Sequence, residues 1–158
     1  KVFLMVRFAR EEDLGRVNEL RKMVNDVHVA GRPDIFQPGF GEEIKTQASA
    51  FARGGDSGLL VAICGGVICG FAMVKFIDRP ASAYSLPRRF CHIDEFGVDA
   101  AYRRRGVATQ LIEFLKKDAK EKGFAKIELD VWEFNEDARE FYEAVGFTVS
   151  RRFMELAL

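Results

Sequence analysis

At 158 residues, with 24 Lys plus Arg set against 24 Asp plus Glu, the chain carries zero formal net charge and 48% apolar residues. That length fits one compact domain, taken here as residues 1–158, and 15 phenylalanines give it material for a core. The charge balance argues against non-specific nucleic-acid or membrane-surface binding, and no run of about 18 apolar residues is present to span a bilayer.

Val2 to Phe8 reads as a strand. Leu14, Val17, Leu20, Val24 and Val27 then recur at helical spacing, with Asp13 near the start, and Gly31-Arg32-Pro33-Asp34 breaks that helix. A shorter helix is expected from about Glu42 to Arg53, followed by a Gly-rich loop. Leu59 to Cys64 and Val67 to Ile77 read as two apolar strands joined by a Gly65-Gly66 hairpin. Arg79 to Arg89 reads as a loop, and Cys91 to Val98 as the next strand.

A helix is expected from Gly106 to Lys122, with Val107, Leu111, Leu115 and Ala119 as its apolar stripe, Glu113 paired to Lys117, and Gly123 as its stop. Lys126 to Trp132 reads as a strand. Asn135 caps a helix that carries Glu136 and Asp137 in its first turn, and Gly146 ends it. Thr148 to Leu156 reads as a last strand. The order is β-α-α-β-β-β-α-β-α-β, an α/β chain of the α+β type. Its expected core is a mixed, mostly antiparallel sheet flanked by helices.

Three cysteines, Cys64, Cys69 and Cys91, sit in apolar strand-like stretches. Their odd number and their context predict buried, reduced thiols and a cytoplasmic setting. Only two histidines are present, His28 and His92, neither at ligand spacing to a cysteine pair, so no metal site is expected. The opening Lys1 to Met5 is too short for a signal peptide and reads as a trimmed end.

The chemistry concentrates at Arg103-Arg104-Arg105-Gly106-Val107-Ala108, between a strand and a helix. The first N–H groups of a helix lack partners, and the helix dipole adds positive charge there, which suits a phosphate or diphosphate. Gly106 and Ala108 are small enough for close approach to the backbone. On spacing alone, a solvated arginine face is an equal reading.

Arg-x-x-Gly-x-Ala in this position resembles the coenzyme A motif of the GCN5-related N-acetyltransferase (GNAT) superfamily. Asn135 to Phe147 is similar to that family's second block: Asn, then Ala, then Phe-Tyr, then Gly-Phe. Arg7-Phe8-Ala9 with Asp13 is similar to its first strand-to-helix junction. The resemblance implies acetyl-CoA as cosubstrate, its diphosphate held by backbone N–H groups around Arg103, Arg104, Arg105, Gly106, Val107, Ala108 and Thr109. It implies a pantetheine arm paired to the strand edge at Phe96, Gly97 and Val98, helped by a bulge near Gly97. Asn135 would touch that arm, and Tyr142 would lie beside the thioester sulfur.

Acetyl transfer to an amine needs a base for the nucleophile and an acid for the leaving thiolate. Tyr142 is the expected acid, although its place on an apolar helical stripe also fits simple packing. The base is open between Glu95, Asp130 and a water relay. His92 and Asp94 are expected to alternate onto the face opposite Glu95. The N–H of Val98 is a candidate donor to the carbonyl oxygen. His28, Asp34 and Phe36 are candidate acceptor-binding residues, with Tyr84, Arg88 and Arg89 as a further wall. A second reading is an acyl-CoA-binding module or sensor without turnover. A homodimer through the last strand completes the expectations.

Overall fold

The computed structural model describes residues 3–158; Val2, the first residue of the expected opening strand, lies outside them. The elements are β1 (Leu4–Phe8), α1 (Leu14–Gly31), α2 (Glu42–Ala52), β2 (Ser57–Cys64), β3 (Val67–Arg79), β4 (Arg88–Val98), α3 (Val107–Glu121), β5 (Lys126–Leu129) and α4 (Glu136–Ala144). They form one five-stranded mixed sheet in the order β1-β2-β3-β4-β5. The first four strands are antiparallel, and β5 joins β4 in parallel.

The sheet is covered on both faces, so its central strands are apolar on both sides. On one face α3 buries Val107, Leu111, Ile112, Leu115 and Ala119 against Leu60, Ala72, Cys91 and Ile93. On the other, Val17 and Leu20 of α1 and Ala48 of α2 pack on Leu59, Val61, Phe71 and Met73. The β2–β3 turn is the expected Gly-Gly hairpin: Gly65 and Gly66 both take positive φ, 59° and 82°, as a type I′ turn requires.

Local chemistry fixes the helix ends. The Asp13 carboxylate accepts from the Arg10 N–H at 2.7 Å and from both Arg7 terminal nitrogens, tying β1 to the start of α1. Its hydrogen bond with the Arg7 guanidinium holds Asp13 below the usual carboxylate range. At the end of α3, Gly123 is left-handed, its N–H donates to the Lys120 carbonyl, and the Phe124 N–H reaches the Ala119 carbonyl. Gly146 repeats this arrangement after α4, with the Phe147 N–H on the Tyr142 carbonyl. Glu113 pairs with Lys116 at 3.1 Å, one residue short of the expected Lys117.

The expected final strand is the main departure. Residues 148–158 carry no ladder bonds and are exposed throughout. Alternating apolar side chains make a strand only where another strand supplies hydrogen bonds, and no described strand pairs with this segment.

Candidate functional site

The strand-to-helix turn is built from α1 outward. Arg16 donates to the Ile68 carbonyl at 3.1 Å and to Asp99 Oδ2 at 2.6 Å. The other Asp99 oxygen accepts from the Ala101 N–H, which shapes the short 3-10 turn Ala100–Tyr102. The chain then passes through two left-handed residues, Arg104 at φ 62° and Gly106 at φ 79°. For arginine that conformation is strained by about 1–2 kcal/mol. Left-handed steps of this kind turn successive N–H groups toward one concave side. Among the described residues, the N–H groups of Arg104, Arg105, Gly106, Val107, Ala108 and Thr109 find no protein acceptor. No side chain caps α3. Six such donors at the positive end of a fifteen-residue helix make an anion cradle. Arg105 lies over the Tyr102 ring at 5.2 Å, while Arg103 and Arg104 are exposed.

Next to the cradle, β4 loses its neighbour. Pairing with β5 covers only Phe90 to Ile93, against Lys126 to Leu129. From Glu95 to Val98 the strand is bonded on the β3 side alone. That splay leaves an open backbone edge at Phe96, Gly97 and Val98, where an extended ligand arm can add as a strand.

The bulge in β4 falls at Asp94, not near Gly97. Met73 pairs with Glu95 and Val74 with Ile93, so Asp94 is the extra residue. Gly97 has a different task. A Cβ there would come within 2.6 Å of Val24 Cγ2 and 2.9 Å of the Phe71 ring, so its bareness lets α1 approach the sheet.

The bulge also corrects the expected division of faces. Cys91 and Ile93 pack toward α3 before it, and Phe96 and Val98 do so after it. His92, Asp94 and Glu95 therefore share the α1–α2 face. Lys75, whose ammonium lies over the α2 ring of Phe51, reaches Asp94 at 3.3 Å on that side.

Glu95 meets Arg21, which is 1% exposed. The guanidinium grips both carboxylate oxygens at 2.8 Å and also reaches Asn18, the Ile44 carbonyl and Gln47. This network joins α1, α2 and β4. His92 Nδ1 lies 2.8 Å from Asp94, and its Nε2 lies 3.5 Å from Asp130, which is 90% exposed just beyond β5. Asp130 thus joins His92 rather than Glu95.

Asn135 Oδ1 accepts from the Ala138 N–H at 3.3 Å, so this side chain caps α4. Its amide nitrogen makes no protein hydrogen bond among the described residues. Tyr142 is half-buried between Phe96, Phe141 and Phe147, with ring centroids 5.5–6.0 Å away. The Gly146 turn seats Phe147 there. Burial pushes the Tyr142 phenol up to about 12, so it stays protonated and able to donate across the neutral range.

His28 and Phe36 come together, stacked at 5.1 Å. Phe134 and Trp132, which sequence reading missed, close the cluster: Phe134 edges His28 and Trp132 edges Phe36. A Cβ on Gly31 would sit 2.1 Å from the Phe134 ring, so Gly31 does more than break α1. Burial lowers the His28 pKa, against the opposing charge of Glu95, and favours the neutral ring. Asp34 reaches this cluster only through Arg32: both its oxygens accept from that guanidinium at 2.9 Å, and the guanidinium lies over the Trp132 ring at 5.4 Å. The loop before β4 adds no wall of the expected kind. Tyr84 is fully exposed, Arg88 pairs with Glu128, and Arg89 pairs with Asp78. A shallow concavity of about 360 Å³ between α1 and α2, lined by Asn18, Lys22, Phe40 and Lys45, shares no residue with the turn or the β4 edge.

All three cysteines are free and buried, and burial pushes Cys69 up to about 11 and Cys91 to about 12. Thiols held protonated this firmly are poor nucleophiles. Among the described residues no cluster of His, Cys, Asp or Glu is arranged to hold a metal ion, and no helix is long and apolar enough to cross a membrane.

Known proteins share this arrangement. A 61-residue stretch is 36% identical to the uncharacterized N-acetyltransferase YycN of Bacillus subtilis (strain 168), and it spans 39% of either chain. A mutant of the BH1408 protein from Bacillus halodurans superposes with a TM-score of 0.93 at 27% identity, over 98% of this chain and 99% of that one. The aminoglycoside acetyltransferase AAC(6')-Iy, crystallised with a bisubstrate analog of CoA, superposes at 0.78 with 19% identity, over 99% of this chain and 98% of that one. At that identity the likeness speaks for the fold alone. Residues 7–147 match the profile of the acetyltransferase (GNAT) family across the first junction, the open β4 edge, the cradle and the Asn135 block, and the chain belongs to that family.

Proposed function

We propose that this chain is an acetyl-CoA-dependent N-acetyltransferase that acts on a primary amine. The observation that carries the reading is the run of six unpartnered N–H groups at Arg104–Thr109 beside the open β4 edge. A diphosphate and a pantetheine arm need those two features side by side. Acetyl-CoA supplies a thioester whose carbonyl carbon accepts the amine. The N–H groups of the cradle, with Arg103 and Arg105 nearby, hold the diphosphate. Phe96, Gly97 and Val98 present the backbone edge to the arm, and the free Asn135 amide donates to it.

The amine lone pair forms the new C–N bond as the C–S bond breaks. Tyr142 gives its phenolic proton to the departing sulfur and is reprotonated from solvent. The proton lost by the nitrogen goes to a base on the α1–α2 face of β4. His92 is the better placed of the candidates there. Its Nδ1 is held by Asp94 and its Nε2 faces the β4–β5 gap, whereas Arg21 occupies both Glu95 oxygens. Glu95 is then a positioning residue that locks α1 to β4.

The acceptor binds against His28, Phe36, Trp132 and Phe134. Aromatic faces attract an amine cation; Arg32 already lies over Trp132, so the His28, Phe36 and Phe134 rings carry that attraction, with Asp130 and Glu133, 90% and 89% exposed, adding negative charge nearby in the chain. A small cationic amine fits these surroundings. Two structural neighbours, AAC(6')-Iy with its acetylneamine-based analog and a soil metagenomic enzyme with sisomicin, were solved with aminoglycoside-type ligands.

The test is a panel of amines with acetyl-CoA and purified protein, read as release of free thiol. Release with at least one amine, and none without it, is expected. CoA binding with no release from any amine in the panel would leave a binding module in place of the enzyme.

A further inference from the structure

Among the described residues, one buried side-chain polar atom lacks a hydrogen-bond partner: Nε of Arg139. A buried N–H without an acceptor costs stability, so one that persists in a fold calls for an account. The terminal nitrogens of the same guanidinium do not supply it. They lie 3.6 Å from Glu133 and 4.0 Å from Glu136, within ion-pair range but too far for a hydrogen bond.

Arg139 stands in the stripe of α4 that borders the open strand edge. It follows Asn135 by four residues and precedes Tyr142 by three, so the three side chains line one side of the helix. Tyr142 fixes the direction of that side, because its ring packs on Phe96 where β4 has no β5 neighbour. The guanidinium folds back toward Glu133 and Glu136, beside Asn135 at the start of α4. The Asn135 oxygen caps the helix, and its amide nitrogen makes no protein hydrogen bond among the described residues. Two free donor groups therefore stand one helical turn apart along the gap between α4 and β4.

The surrounding charges indicate which acceptor fits. Glu133 and Glu136, 89% and 78% exposed, outnumber the single guanidinium, and a phosphate brought beside them would meet net negative charge. An uncharged carbonyl oxygen meets no such repulsion, and the pantetheine arm of CoA offers amide carbonyls. We propose that Arg139 is a further cosubstrate-binding residue, whose Nε–H donates to an amide carbonyl of the pantetheine arm. This inference rests on the acetyl-CoA reading and adds a residue to it.

The experiment is a calorimetric titration of CoA into the full native chain, Arg139→Gln and Arg139→Lys, at low and high salt, with melting curves alongside. Lysine keeps a positive charge near Glu133 and Glu136 but has no N–H at the Nε position. Both variants are expected to raise Kd roughly tenfold, by the same factor at either salt concentration. Full affinity in Arg139→Lys would assign the contact to charge and overturn the proposal, as would a factor that shrinks with salt. Unchanged affinity in both variants would leave the Nε–H to a water molecule and Arg139 to the fold. The proton itself gives a direct reading. Its NMR signal, identified by its loss in Arg139→Lys, should shift when CoA is added, and a signal that stays in place would mean the arm passes elsewhere. A native chain that binds no CoA would sink the acetyl-CoA reading, and this role of Arg139 with it.

Discussion

Gly106 separates a backbone cradle from a side-chain one. It sits at φ +79°, and a Cβ added there meets no heavy atom within 4 Å. Gly106→Ala therefore brings only left-handed strain, about 1–2 kcal/mol. Gly106→Asp adds a carboxylate at the mouth of the cradle. At about 6 Å and an effective dielectric of about 40–80, each unit charge on the diphosphate repels it by roughly 0.7–1.4 kcal/mol. Two such charges bring about 1.4–2.8 kcal/mol, or roughly a 10- to 100-fold rise in Kd for CoA. Arg104 is exposed, makes no ion pair among the described residues, and keeps its positive φ as alanine. Arg104→Ala removes one screened charge, worth about 0.2–1 kcal/mol, and raises Kd by about fivefold at most. Titration calorimetry with CoA at fixed ionic strength measures all three, with melting curves to confirm folding. Equal losses for Gly106→Asp and Arg104→Ala would refute the backbone cradle and assign the grip to the guanidinium charges.

Tyr142→Phe should lower kcat by about 10²-fold or more while Kd for acetyl-CoA stays within a factor of two or so; an unchanged kcat removes Tyr142 from the chemistry. His92→Gln should lower kcat/KM by about 10²-fold or more with little change in melting temperature. Glu95→Gln should instead destabilise the fold by up to about 3 kcal/mol, because Arg21 keeps a buried charge; the reverse pattern would return the base to Glu95. Gly31→Ala must displace the Phe134 ring, so KM for the acceptor should rise several-fold with CoA affinity unchanged, and a rise in both would place the cluster elsewhere. Burial lowers the folded pKa of His28 below its ordinary 6.5, so the unfolded chain binds that proton more readily. The contribution is full above 6.5 and is lost as pH falls through the folded value. Melting temperature should fall from about pH 7 to about pH 5.5, less so in His28→Gln; an identical slope in the two would exclude His28 as the cause.

Much of this is legible in the amino-acid sequence. The stripe Val107–Leu111–Leu115–Ala119, the Gly65–Gly66 turn and the Asn135 cap follow from local periodicity and turn chemistry, which a single chain segment carries by itself. The bulge at Asp94 does not, because strand register depends on which residue of β3 lies opposite. Arg21 was open to detection: it falls four residues after Val17 and three before Val24, inside the apolar stripe of α1. A charge in such a stripe needs a partner, and Glu95 supplies it from 74 residues away. Trp132 and Phe134 lay beyond local patterning, because the ring that meets Gly31 arrives from the opposite end of the chain. Thr148–Leu156 has the composition of a strand and lacks one in the isolated chain, since composition names a strand's faces but not its neighbour.

The extra residue at Asp94 has a consequence for sequence comparison. It works as a phase shift between two halves of one strand. Residues 88–93 keep one parity against α3, and residues 96–98 keep the other. Removing Asp94 would restore simple alternation and leave His92 and Phe96 on their present faces, so a deletion there should be tolerated better than one at Phe96, which would turn Gly97 and Val98 over. Relatives in which β4 differs by one residue should be aligned with the gap at this point. Aligned without it, every position on one side of Asp94 would be matched to a side chain of the wrong face.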